Sequence, residues 1–297
     1  MMIAYRYLEK IRTAYPHLAL ENLELNQDGM NNDVVIVDRQ LVCRFPKTEW
    51  AKKHLKNEIE ILQLARQFIE LPIPHLDCVE DGFVSYPFIR GEALSRNLLL
   101  RLDTRVQEKV IEQLGEFYQQ LHSIPSNAIA DFNIPPSLAQ CSREDAIELY
   151  DRVEQILFPH LWKHQRTWVM EHFEPSINGT LNFDNPTVLI HGDLGCYHIL
   201  FDRDRQCLSG IIDFGTAGIG DPATDFAALL DNHGEAVVKR MSKYYSGVEE
   251  LIDRSRFRAG IVWLQWALMG VENNDVELLL AHIGSSARDI QPIGTSW

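Results

Sequence analysis

The stretch IHGDLGCYHILFDRDRQCLSGIIDFG, Ile190 to Gly215, sets two aspartates, Asp193 and Asp213, each at the edge of an apolar run. The preceding TVLIHGDL is a β-branched run that enters a turn. HILFD and CLSGIIDFG read as two short strands, split by the polar Asp202 to Gln206. A single acid at a strand-to-loop junction is ordinarily a cap or a turn former. Two of them, one on each side of a hairpin, ask for another explanation.

Working outward, Asp221-Pro222-Ala223 is a helix start, with an aspartate at the cap and proline at the first helical position. Helices are expected through the remainder, including the tract with Trp263, Trp266 and Met269. Upstream, Val106, Val110, Leu114, Phe117 and Leu121 form a helical stripe that stops at Ser123-Ile124-Pro125. The first eighty-odd residues differ. After an amphipathic helix near residues 3 to 14, Val34 to Val37 and Leu41 to Phe45 predict a hairpin closed by Asp38-Arg39-Gln40. Leu55, Ile59, Leu62 and Ala65 predict a helix packed on it, ending before Leu71-Pro-Ile-Pro. Glu80-Asp-Gly82 then turns between two more short strands. A small antiparallel sheet with one helix is thus followed by a mostly helical half.

The 297 residues, 45% hydrophobic and 24% charged, suffice for one large domain or two lobes. A formal net charge of -14 argues against nucleic acid, which needs a basic surface, and suits a cationic ligand. Cys43, Cys78, Cys141, Cys196 and Cys207 contain no C-x-x-C pair, so neither a disulfide framework nor a zinc site is suggested. The N-terminal stretch carries charges throughout, and no segment approaches the length of a membrane span. A cytoplasmic location, with no membrane or nucleic-acid partner, is expected.

The quoted stretch carries the chemistry. His191-Gly192-Asp193, polar His198 beyond it, a hairpin and Asp213-Phe214-Gly215 reproduce the layout of kinase catalytic and metal-binding loops. Phosphoryl transfer needs one carboxylate free to orient the nucleophile and another bound to metal. No G-x-x-x-x-G-K-S/T is present, which disfavours a P-loop enzyme.

The chain resembles the aminoglycoside phosphotransferase family of the kinase-like fold, most closely its 2″-phosphotransferase branch. The likeness runs through RFPK, NEIEIL, LPIP, IRGEAL, LHSI, HGDLGCYHILFD, IIDFG and DPATDFAAL, nearly the whole length. It implies an α+β, two-lobed protein-kinase-like fold, with a nucleotide-binding lobe at 1–87 and a catalytic, substrate-binding lobe at 88–297. It makes Asp193 the catalytic base or hydroxyl-orienting group and Asp213 the main magnesium ligand. His198 stands where most kinases place asparagine and is expected to ligate the metal, a hydrogen-bonding role being the alternative. Gly29 would cover phosphates in a flexible turn, or be an ordinary turn glycine. Arg44 takes the place of the usual kinase lysine, with Lys47 as an alternative phosphate contact; Glu58 is its expected partner, or a solvated helix residue among Lys53, Lys56 and Glu60. Tyr86, Pro87 and Ile89 fall on the base-recognition hinge, and a bulky Tyr86 leans the donor toward GTP rather than ATP.

For the acceptor, the resemblance implies a monomer acting on a small cationic aminoglycoside, with Asp231 and Glu235 as substrate carboxylates. Glu272, Asp275 and Glu277 are further acids, or simply a solvated helix end. Asp221 and Asp225 are expected to support the site structurally. If Trp263, Trp266 and Met269 lined the cleft instead of the core, an apolar acceptor such as a macrolide would fit. A small-metabolite kinase and a catalytically dead nucleotide-binding fold remain the other readings.

Overall fold

In the computed structural model, residues 2–27, 29, 31–76, 78–80, 82–185 and 187–283 are described. Helix α1 (Met2–Ala14) precedes β1 (Leu23–Asn26), β2 (Asn32–Val37) and β3 (Leu41–Pro46). Along β2 half-buried and buried residues alternate, the two-residue period of a strand with one face on a core. Asp38 and Arg39 both have positive φ, the backbone that a tight hairpin requires to match strand twist. Helix α2 (Glu49–Ala65) starts on Thr48, whose side chain accepts from the Ala51 N–H. Strands β4 (Cys78–Glu80) and β5 (Phe83–Pro87) complete an antiparallel sheet of order β1-β2-β3-β5-β4. The edge strand β1, whose four residues are all exposed, escapes the sequence reading because LELN has no buried face.

Beyond the sheet come β6 (Glu92–Ala93), α3 (Arg96–Arg101), α4 (Thr104–His122), α5 (Ser126–Ala130), α6 (Arg143–Arg152) and α7 (Lys163–Ile177). Then β7 (Val188–Ile190), β8 (Ile199–Asp202), β9 (Cys207–Ile211) and β10 (Gly218–Gly220) carry the quoted stretch. Helices α8 (Ala223–His233), α9 (Glu235–Arg240), α10 (Val248–Glu272) and α11 (Val276–His282) follow. The N-terminal region is an antiparallel sheet with helices and the C-terminal region is mainly helical, the α+β architecture expected. β8 and β9 pair antiparallel, and β7 pairs with β10, so the loops after β7 and β9 lie side by side. The main core joins α2, α4, α8 and these strands, burying Leu62, Leu114, Leu121, Leu189, Ile211, Phe214 and Phe226. Among the described residues no helix is long and apolar enough to cross a membrane.

Candidate active site

The loop carrying Asp193 is held from below. Gly192 has φ +83, and a Cβ there would stand 2.8 Å from Ser137 Oγ and 2.9 Å from the Thr216 carbonyl oxygen. Asp225, fully buried on α8, accepts the His191 N–H on Oδ2 at 2.9 Å and the Gly192 N–H on Oδ1 at 2.7 Å. His122 Nε2 lies 3.0 Å from the same carboxylate, and its other ring nitrogen 3.0 Å from the Tyr245 hydroxyl. Burial works to raise the Asp225 carboxyl, but the hydrogen bond from His122 and the nearby histidines and N–H groups hold it below the ordinary value. Helix α8 begins at Ala223 with Pro222 at its N-cap, one residue later than expected, and Asp221 accepts from the Ala223 N–H at 2.9 Å and also receives Arg254 and Arg258 at 3.1 and 3.2 Å. Both acids therefore hold backbone and helix ends.

His191 is buried, its Nε2–H donating to the Ile212 carbonyl at 3.1 Å, and burial pushes its pKa down to about 4. A neutral imidazole thus links the two acidic loops. His198 Nδ1 donates to the Asp193 carbonyl oxygen at 2.6 Å, since a carbonyl only accepts. Its Nε2 lies 3.5 Å from Asp213 Oδ2. Asp213 itself sits at φ +65, with Oδ1 accepting the Gly215 N–H at 3.4 Å. Burial opposes its ionisation, but Arg44, His198 and His191 lower its pKa. Asp193 moves the other way: partial removal from water raises its carboxyl, Asp213 and Asp225 add to that, and His198 opposes it.

Among the described residues no group of three or more His, Cys, Asp and Glu forms a metal cage. Magnesium does not need one, because it is usually held by one or two carboxylates together with substrate phosphates and water. The Asp213 carboxylate, its pKa lowered, fits such an ion, whereas His198 offers nitrogen to a cation that prefers oxygen.

Arg44 and Glu58 are buried together, Nη1 to Oε1 2.5 Å, and Arg44 Nη2 lies 3.7 Å from Asp213. Lys47 does not point to this pair; its ammonium donates to the carbonyls of Gln27 and Gly29 at 2.6 and 2.5 Å. It ties down the glycine turn instead. Gly29, Arg44, Glu58, Asp193, His198 and Asp213 line one cavity of about 220 Å³. The hinge residues do not line it: Tyr86 is buried on β5 opposite Val42, within electrostatic reach of Arg44, Glu58 and Asp213, and Pro87 pairs with Leu41. Ile89 lines a separate cavity of about 930 Å³ with Phe88, Arg39 and Arg90.

A third cavity, about 230 Å³, is lined by Asp193, Thr224, Asp231, Asn232, Ile261, Val262 and Trp266. Asp231 accepts the Trp263 indole N–H at 2.7 Å. Glu235 is not among the residues lining this cavity; Arg256 and Lys239 engage its carboxylate at 2.6 and 2.7 Å. Those side-chain bonds hold its pKa at about 2. Of the later acids, Glu272 pairs with Arg152 at 2.6 Å and Asp275 caps α11 through the Leu278 N–H at 2.9 Å.

Sequence reasoning missed Trp50 and His54, which line the first cavity and stack at 3.8 Å between ring centroids. The signal was present, since Trp50, His54 and Glu58 recur every fourth residue on one helical face. It also missed His122, within the quoted LHSI.

Two carboxylates of opposite protonation tendency, joined across a hairpin and flanked by a buried arginine–glutamate pair, define a kinase-like phosphotransferase. Residues 22–259 match the phosphotransferase enzyme family, to which the chain belongs. Viomycin phosphotransferase of Streptomyces vinaceus is 27% identical over 265 residues, 85% of this chain and 88% of that protein. The GDP and kanamycin complex of APH(2″)-IIIa superposes with a TM-score of 0.82 at 26% identity, covering 94% of this chain and 96% of that one. A macrolide 2′-phosphotransferase type I shares the fold, with a TM-score of 0.71, 20% identity and coverage of 95% and 96%.

Proposed function

We propose that the protein transfers the γ-phosphoryl group of a purine nucleoside triphosphate to a hydroxyl of an aminoglycoside of the 2″-acceptor type. The observation that carries this is the place of Asp193. Among the described residues it alone lines both the cavity with Arg44 and Asp213 and the cavity with Asp231 and Trp266. A base at that junction faces phosphate on one side and acceptor hydroxyl on the other.

In this reading the donor lies between lobes 1–87 and 88–297. Arg44 contacts its phosphates, Glu58 holds Arg44 in place, and the Gly29 turn covers them. Asp213 and His198 hold magnesium, which supplies charge neutralisation on the phosphates. Asp193 accepts the hydrogen bond of the attacking hydroxyl, orients it for in-line displacement and receives its proton. The Pro87 carbonyl and Ile89 N–H meet the purine edge, and the bulk of Tyr86 favours guanine. The GDP complexes of related kinases support a purine donor. Asp231 takes an ammonium group. A resistance role follows if the acceptor is an antibiotic.

One observation favours a second acceptor class. Glu235 is engaged by its own ion pairs, whereas Trp266, Val262 and Ile261 form a cavity wall. A large acceptor with an apolar face and few charges, such as a macrolide, suits that wall better than a polycation.

The test is phosphate transfer by the purified protein with magnesium and ATP or GTP, to kanamycin-, gentamicin-, viomycin- and erythromycin-type acceptors. Transfer to an aminoglycoside that disappears in Asp193→Asn supports the first reading, and transfer to erythromycin alone the second. Nucleotide binding with no transfer to any acceptor points to another metabolite or to a catalytically inactive fold.

A further inference from the structure

Asn232 stands in the last turn of α8, next to Asp231, and lines the cavity of about 230 Å³ that Asp193 also lines. An amide at that place reads first as a contact for the acceptor. Its hydrogen bonds give a different answer. Nδ2 donates to the Ala228 carbonyl one turn back at 2.9 Å, which turns Oδ1 to the catalytic loop, where it accepts the Cys196 N–H at 3.2 Å. Both ends of the amide are thus engaged inside the protein.

Cys196 opens the short helical turn Cys196–His198, and an N–H at the start of such a turn has no partner within it. The other end of the loop is held by the same helix, since Asp225, in the first turn of α8, accepts the His191 and Gly192 N–H groups. Asp225 and Asn232 are about two turns apart, so they project from nearly one helix face, about 10 Å apart along the axis. Asp193 lies between these two holds, and Leu194 beside it is buried in the main core. Beyond them His198 has its own support, because its carbonyl accepts the Ile212 N–H at 2.9 Å. Loss of the Asn232 contact therefore frees the backbone on the Cys196 side of Asp193 and leaves the Asp213 side in place.

We propose that Asn232 is a positioning residue for phosphoryl transfer. By holding the Cys196 N–H it fixes the second half of the catalytic loop and so aims the Asp193 carboxylate at the attacking hydroxyl. One helix then sets the loop at both ends, with Asp225 as the first anchor and Asn232 as the second. The contribution of Asn232 runs through Asp193, and a misplacement of about 1 Å in such a group costs up to about 10²-fold in rate. This deepens the phosphotransferase reading above and rests on it.

The experiment compares wild type with Asn232→Leu, which keeps the approximate shape and removes the hydrogen-bond acceptor, and with Asn232→Asp, which keeps an acceptor for the Cys196 N–H. Asn232→Ser, too short to reach Cys196, repeats the test should the leucine variant fail to fold. Hydrogen exchange of the Cys196 amide, followed by NMR without substrate, should be about 3- to 10-fold faster in Asn232→Leu than in wild type, the range of one neutral hydrogen bond, and near wild type in Asn232→Asp. With the best acceptor of the panel, kcat should fall about 10- to 100-fold in Asn232→Leu, with the KM for nucleotide unchanged, and Asn232→Asp should recover most of the loss. The deciding comparison repeats Asn232→Leu in the Asp193→Asn background, in single turnover with excess enzyme. Residues that act as a unit are not additive, so the residual rate there should fall less than about 2-fold. An equal fold-loss in both backgrounds, an undiminished kcat, a matching rise in the KM for nucleotide or unchanged exchange at Cys196 each overturns the proposal. Absence of transfer by wild type to every acceptor overturns the phosphotransferase reading itself, and this inference with it.

Discussion

Asp193 and Asp213 are chemically the same residue with opposite duties, and their surroundings separate them. Asp193 is raised by partial removal from water, whereas Arg44 and the histidines draw Asp213 down. Since the base acts ionised, activity falls as pH drops through the raised value. The acid limb of the kcat/KM profile should therefore lie above the ordinary 3.8 of aspartate. A limb at or below that value would contradict the assignment. Asp193→Asn should lower kcat by about 10²-fold or more with nucleotide affinity nearly intact, and retained turnover would refute it. Asp213→Ala should abolish the magnesium dependence of nucleotide binding in a titration. Asp225 is a different case, because its depressed pKa is a stability contribution. That contribution is fully present above the ordinary 3.8 and is lost as pH falls through the depressed value. Urea midpoints followed downward through that range should drop more steeply for wild type than for Asp225→Asn. Parallel curves would remove Asp225 as the source. The HGD and DFG residues were legible as letters, but the split between their proton affinities was not. It depends on Arg44, which is far away in sequence.

At the scale of elements, α2 and β3 are joined by one buried ion pair. Removing one partner strands the other charge away from water, so Glu58→Ala should cost about 3–5 kcal/mol in a denaturant melt. A loss under 1 kcal/mol would mean that Arg44 finds another partner, with Asp213, at 3.7 Å, the nearest candidate. The helices α2 and α4 were readable because their apolar residues recur at helical spacing over many turns. The hairpin β2–β3 was readable from two short apolar runs split by the polar Asp38-Arg39-Gln40. β1 was not, because its pairing comes from β2 and its own residues bury nothing. Glu235 shows the same limit at a site. A carboxylate just after a motif helix reads as a ligand for a cation, but Arg256, on α10, reaches it first.

Over the whole molecule, the formal net charge of -14 creates a field that concentrates cations and is weakened by salt. If the acceptor is polycationic, its kcat/KM should fall steadily as sodium chloride is raised, while a neutral acceptor's should hold. A flat response with a polycation would point to recognition through the apolar wall of Val262 and Trp266. The sequence by itself determined the class of fold and the two acidic loops. Those features are written in local periodicity and in residues whose spacing the backbone enforces. Only the tertiary structure decided that Glu58 is buried against Arg44, that Lys47 secures the glycine turn, and that Trp266 lines the cleft while Glu235 is withdrawn into ion pairs. Each is a contact between side chains brought together by packing of separate helices and loops, and no local pattern encodes which of several nearby charges or hydroxyls will reach a partner first.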